Sequence, residues 1–164
     1  MSDRPLDTEL IDINGFVVQV AYYDDYDSEP PWEDDGHGPV RYEDSATGKR
    51  PGERIMRTGD GRGRYLYDWQ AACKLARKDK WGPGKPHEAA QADMDFLAGF
   101  TRGDWGWAGV KVMLELYPQY EDSLWRVESY KNYHVTCAEE LAQELVNRYL
   151  DDIEKGVLLW DSET

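Results

Sequence analysis

The chain has 164 residues and a mass of 19.0 kDa, with 33 Asp and Glu against 19 Lys and Arg, a net charge of −14 and a pI near 4.5. That balance excludes a general nucleic-acid binder, which must face phosphates with cations, and docking on an anionic membrane surface. A mean hydropathy of −0.79 with no apolar run near the ~20 residues of a spanning helix excludes a transmembrane protein, and seven Trp and eleven Tyr exclude a wholly disordered one.

In chain order, residues 8–23 hold two extended segments around Asn14-Gly15, a strong two-residue hairpin signal. Residues 24–52 follow as a long acidic excursion broken by Pro30, Pro31, Gly36, Gly38, Pro39 and Pro51. Residues 53–58 read as a short strand, and Gly59, Gly61 and Gly63 then break the chain. Residues 68–81 predict a helix with Asp68 as N-cap and Trp69, Ala72, Cys73 and Ala76 on one face, stopped by Gly82 and Pro83. A second helix is predicted over 87–101 with Met94, Phe96, Leu97 and Phe100 as its apolar side, ended by Gly103.

Residues 104–117 predict a strand with Trp105, Trp107, Lys111 and Met113 on one parity and Ala108, Val110, Val112 and Leu114 on the other. Residues 123–129 predict its hairpin partner, with Asp122 in the turn between them. Over 132–155, Tyr133, Cys137, Leu141, Leu145 and Tyr149 recur every four residues and predict a long final helix. Asn132 serves as its cap if it starts early, Thr136 and Glu139 as a capping box if it starts late, and Gly156 as its stop. The expected fold is α+β, a largely antiparallel sheet with about three helices, in one domain over residues 1–164. Cys73 and Cys137 read as buried free thiols.

Charge is segregated along the chain: residues 1–40 carry eleven acids and one base, residues 41–85 six acids and twelve bases. The densest run is Asp24, Asp25, Asp27, Glu29, Glu33, Asp34 and Asp35, with no cation among them. Unpaired carboxylates are costly to desolvate, so the run predicts a solvated loop or a surface where carboxylates stand in for phosphates against a cationic partner. An EF-hand is excluded because Pro30 takes the position of the required glycine. Glu140, Glu144, Asp151 and Asp152 on the last helix form a second candidate surface.

Other chemistry is thinner. His37, between Gly36 and Gly38, is expected to be exposed and within reach of a ligand, but His87 and His134 are isolated, so no metal or cofactor is expected. The Gly59–Arg64 segment lacks the phosphate-loop pattern and reads as a turn, with an anion nest as the alternative. Lys74, Arg77, Lys78 and Lys80 make the only basic patch, expected to pair internally or to be solvated. Trp105 and Trp107 on one strand face read as core, with a base-stacking platform as the alternative.

The phrases PPWEDDGHGPV, RPGER, GRYLYDWQAACKLARKDKWG, GDWGWAGVKVML and DSLWRVES together resemble, in that order, a family of small proteins encoded by bacteriophages and prophages. The resemblance spans roughly residues 30–150 and carries no catalytic residue over to this chain. One departure stands at Lys80-Trp81, where members often read Gly-Trp, so the helix end is expected to differ there. The resemblance implies a phage accessory protein acting in the host bacterial cytoplasm. Combined with the charge, it leads to a non-enzymatic counter-defence inhibitor that mimics DNA or RNA in the cationic groove of a CRISPR effector or restriction system. The rivals are a small enzyme using His37, metal-assisted or not, a nucleic-acid module using the basic helix 68–81, and a structural or regulatory phage protein with no defence role. Direct nucleic-acid binding and membrane association are not expected.

Overall fold

A computed structural model describes residues 4–43, 49–58 and 64–156. In chain order the elements are β1 (Asp7–Ile13), β2 (Phe16–Asp24), β3 (Val40–Glu43), β4 (Glu53–Thr58), β5 (Arg64–Asp68), α1 (Trp69–Asp79), α2 (Pro86–Arg102), β6 (Trp107–Leu114), β7 (Glu121–Glu128) and α3 (Tyr133–Glu154), with short 3-10 turns at Pro31–Glu33 and Tyr130–Asn132. The fold is α+β, with two antiparallel sheets, three helices and the longest helix, 22 residues, last. No described helix is long and apolar enough to cross a membrane. Backbone contacts divide the chain into two compact units, Met1–Ser28 with Gly106–Thr164, and Glu29–Trp105.

The first unit is a four-stranded sheet in the order β1-β2-β6-β7 with α3 on one face. Asn14 and Gly15 both take positive φ, 53° and 90°, as a tight hairpin turn demands, and the Asp12 carboxylate accepts from the Gly15 amide at 2.9 Å. Alternation then decides the faces: Val18, Val20 and Tyr22 of β2 and Val110, Val112 and Leu114 of β6 pack against Ala138, Ala142, Leu145, Val146 and Tyr149 of α3. A bulge interrupts the β6–β7 pairing between Ala108 and Val110. Trp125 lies across Gly109 so closely that a Cβ there would stand 2.0 Å from its ring, so only glycine fits.

The second unit is a three-stranded sheet in the order β3-β5-β4, with α1 and α2. Met56, Tyr67, Ala72, Ala90, Leu97 and Ala98 form its core, edged by Trp32, Val40, Tyr65, Trp69, Cys73, Trp81, Met94 and Phe96. Asp68 caps α1 as expected, its carboxylate accepting from the Ala71 amide. The helix stops earlier than the glycine and proline suggest. Lys80 itself turns left-handed, φ 53°, a conformation glycine enters without strain.

Several expectations need correction. The 24–52 segment is not one irregular excursion, because the Pro31–Glu33 turn and β3 lie within it. β5 was not anticipated, since its five residues, Arg-Tyr-Leu-Tyr-Asp, are too few to show a period against the helix that follows. Trp105 precedes β6 and belongs to the second unit, and Asp122 lies within β7 rather than in the turn. Asn132 precedes α3 with left-handed backbone and no side-chain cap bond, and the Thr136 start is not used. Cys73 and Cys137 are free thiols, half-buried and buried. Gly59 to Gly63, the centre of the proposed anion nest, lie outside the described residues.

Candidate interaction surface

The acidic run is divided between the units: Asp24, Asp25 and Asp27 fall in the first, Glu29, Glu33, Asp34 and Asp35 in the second. Asp25 departs from the solvated-loop expectation. It is buried at 9% exposure, and its Oδ2 accepts from the Ser28 hydroxyl at 2.8 Å and the Arg126 amide at 2.9 Å. Arg126 has a φ of 58° beside the β-bulge, so Asp25 anchors a strained turn of backbone rather than facing a partner. Asp24 is half-buried and accepts from the Tyr26 hydroxyl at 2.8 Å, a bond that raises the Tyr26 pKa. Asp27, Glu29, Glu33, Asp34 and Asp35 are exposed. Fully buried Pro31 and the Trp32 ring, 5.2 Å from Tyr65 and 5.7 Å from Phe100, pin the loop from beneath. Glu33, Asp34 and Asp35 are thereby left outward.

α3 carries the second acidic surface. Glu140, Glu144, Asp151 and Glu154 are all exposed, and their spacing of four, seven and three residues places them on one stripe with Asn147. The stripe runs ~21 Å at the helical rise of ~1.5 Å per residue, one carboxylate per ~7 Å. A nucleic-acid strand carries one phosphate per ~3.4 Å of axis, so the stripe has about half the linear charge density of a strand, with its carboxylates unevenly spaced. Within α3 the one cation is Arg148, which donates to the Glu121 carbonyl at 3.1 Å and sits 3.9 Å from Asp122. Asp152 is not part of the stripe: it is half-buried and accepts from the Tyr120 hydroxyl at 2.6 Å.

His37 is more enclosed than its flanking glycines suggest. Its side chain is 21% exposed, its ring stacks on Phe96 at 5.9 Å and 6°, and its Nδ1 lies 2.5 Å from Asp93 Oδ1. Asp93 Oδ2 accepts from the Gly38 amide at 2.8 Å and from the Tyr67 hydroxyl at 2.6 Å. The geometry puts the proton of a neutral imidazole on Nδ1, facing the carboxylate. Burial first, and then the Asp93 bond, push the Tyr67 hydroxyl far above its ordinary pKa, so it remains a donor. Gly38 is required by contact: a Cβ there would stand 2.5 Å from the Tyr67 hydroxyl oxygen. Sequence spacing could not reveal this cluster, since Asp93 is 56 residues from His37. Of the other histidines, His87 is exposed, and burial lowers the His134 pKa. Among the described residues no group of three His, Cys, Asp or Glu is arranged to hold a metal.

The basic patch on α1 is solvated: Lys74, Arg77, Lys78 and Lys80 are exposed. The two tryptophans proposed as a platform fall in different units. Trp105 is 4% exposed, stacks on Phe96 at 4.4 Å and donates from Nε1 to the Phe96 carbonyl at 2.7 Å, a core residue. Trp107 is half-buried in the first unit with the Arg126 guanidinium 4.3 Å from its ring. A cluster that sequence reading missed lies on the sheet face away from α3, where the Lys111 ammonium is 5.3 Å from the Tyr23 ring and 5.8 Å from Trp125. The bulge that brings Trp125 over Gly109 creates it, and no local pattern announces a bulge.

No family model, curated protein or solved structure matches this chain.

Proposed function

We propose that this protein is an acidic, non-enzymatic interaction protein of a bacteriophage or prophage, which occupies the cationic groove of a nucleic-acid-handling host complex, a CRISPR effector or a restriction system. The observation that carries this reading is the α3 stripe of Glu140, Glu144, Asp151 and Glu154, all exposed, with Arg148 beside it turned to the Glu121 carbonyl and Asp122 of β7. A helix holds the carboxylates at fixed spacing, so a partner meets preorganised charge rather than a mobile tail. The exposed Glu33, Asp34 and Asp35 of the second unit add to the negative surface. Asp25 and Asp152 hold internal bonds and drop out of the set. His37, bound to Asp93 and stacked on Phe96, is assigned to the framework of the second unit.

The test is binding of the full chain to purified effector and restriction complexes in competition with duplex DNA. The variant carries Glu140→Lys, Glu144→Lys and Asp151→Lys together. All three side chains are exposed, so the fold persists. The reading expects binding that excludes DNA, falls at least ~10-fold in the variant, and weakens between ~50 and ~500 mM salt as screening shortens. Binding indifferent to both the substitutions and the salt overturns it.

A further inference from the structure

The second unit holds an open groove of about 340 Å³ between the loop after α1 and the first half of α2. Trp81 and Pro83 form its wall on the loop, Ala89 and Ala92 its floor on α2, and Glu88 and Asp93 supply its charged groups. Both are carboxylates, and their states differ. The Glu88 side chain is exposed and makes no hydrogen bond or ion pair among the described residues. The Asp93 side chain is only 9% exposed and is partly satisfied. A carboxylate offers about four lone-pair positions, of which His37 uses one on Oδ1, and Tyr67 and Gly38 use two on Oδ2. Asp93 therefore keeps acceptor capacity beyond these three bonds, and it lines the groove.

We propose that this groove binds the guanidinium of an arginine side chain presented by a partner polypeptide. The volume lies at the lower end of small-molecule pockets and suits one side chain rather than an extended ligand. Its apolar walls suit the aliphatic stem, and an aromatic wall beside two carboxylates suits a planar, weakly hydrated cation with several N–H donors. An ammonium is more strongly hydrated and gains less from such a wall. Lys80 and Lys85, at the two ends of the loop, are exposed and form no ion pair with Glu88 or Asp93. Their field is screened by solvent, so recognition comes from contact at the groove. The proposal stands apart from the α3 stripe, which belongs to the other unit.

The experiment titrates N-acetyl-arginine methylamide into the isotope-labelled full chain and follows amide and indole shifts. The citrulline and lysine analogues serve as the uncharged and ammonium controls. The expected result is saturable shifts at Trp81 and across residues 82–93, with a Kd of about 1–10 mM. Glu88→Gln, at an exposed side chain, weakens binding at least ~3-fold. The lysine-substituted α3 stripe leaves it unchanged. Citrulline binding as tightly as arginine removes the electrostatic argument, and lysine binding as tightly removes the guanidinium assignment. Shifts confined to α3, or no saturation by about 50 mM, overturn the site.

Discussion

Replacing Asp93 by asparagine isolates what one buried charge contributes to the second unit. Asp93 accepts from His37 Nδ1, the Tyr67 hydroxyl and the Gly38 amide, at 2.5, 2.6 and 2.8 Å. Asparagine keeps one carbonyl oxygen, which can serve Tyr67 and Gly38. Its amide NH2 then faces His37, and a neutral imidazole adapts by changing tautomer so that Nδ1 accepts. Two bonds to a charged acceptor become bonds to a neutral one. Hydrogen bonds to charged groups contribute about 1.5–3 kcal/mol and neutral ones about 0.5–1.5, so the loss near pH 8 is about 2–3 kcal/mol. Once acid puts a proton on both imidazole nitrogens the amide offers no acceptor, so the loss grows by about 1–2 kcal/mol. Asp93→Ala, which offers no acceptor at all, costs about 3–5 kcal/mol at either pH. The Ala90 carbonyl, 3.4 Å from the Tyr67 hydroxyl, recovers only part of it. Urea denaturation gives the magnitude, and hydrogen exchange in peptides from residues 64–105 and 106–156 locates it. An asparagine variant within about 0.5 kcal/mol of the parent at both pH values would refute the reasoning, since that lies below the contribution of a single such bond.

Three further outcomes follow from the same structure. Gly38→Ala forces a methyl to within 2.5–2.6 Å of the Tyr67 ring and hydroxyl, and Tyr67 is fully buried. The cost should be at least about 2–3 kcal/mol, read as a lower urea midpoint. Lys80→Gly relieves the left-handed residue that ends α1 and should stabilise by about 1 kcal/mol, seen as a higher Tm. Glu53, bonded through both oxygens to Arg41 at 2.7 and 2.8 Å, has its pKa lowered from 4.5 to about 2. Because the folded pKa is depressed, this stabilisation is complete above the unfolded value and is lost as pH falls from 4.5 towards 2. The shift sets a ceiling of about 3 kcal/mol. Arg41 is 26% exposed, and solvent screening reduces the contribution to about 1–2 kcal/mol. Glu53→Gln should flatten acid unfolding over that interval, and an unchanged profile would show that the pair contributes nothing.

The elements whose signals are local could be read without coordinates. Asn14-Gly15 announced its hairpin because two positive φ angles in a row are affordable to few residue pairs. The four-residue recurrence of Cys137, Leu141, Leu145 and Tyr149 announced α3, and the alternation of Ala108, Val110, Val112 and Leu114 announced the buried face of β6. The exposed stripe of α3 followed from the same period, because residues opposite an apolar stripe must face water. What required the tertiary structure was every group whose partner is distant in the chain. Asp25 looked like its acidic neighbours until the Arg126 amide, 101 residues away, took it out of solvent. His37 looked exposed until Asp93 and Phe96 closed on it, and Trp105 looked like a strand residue until Phe96 stacked on it and Phe100 packed beside it. Periodicity fixes which way a side chain points relative to its own backbone. Whether a carboxylate there meets water or a buried amide depends on where another segment of chain comes to rest.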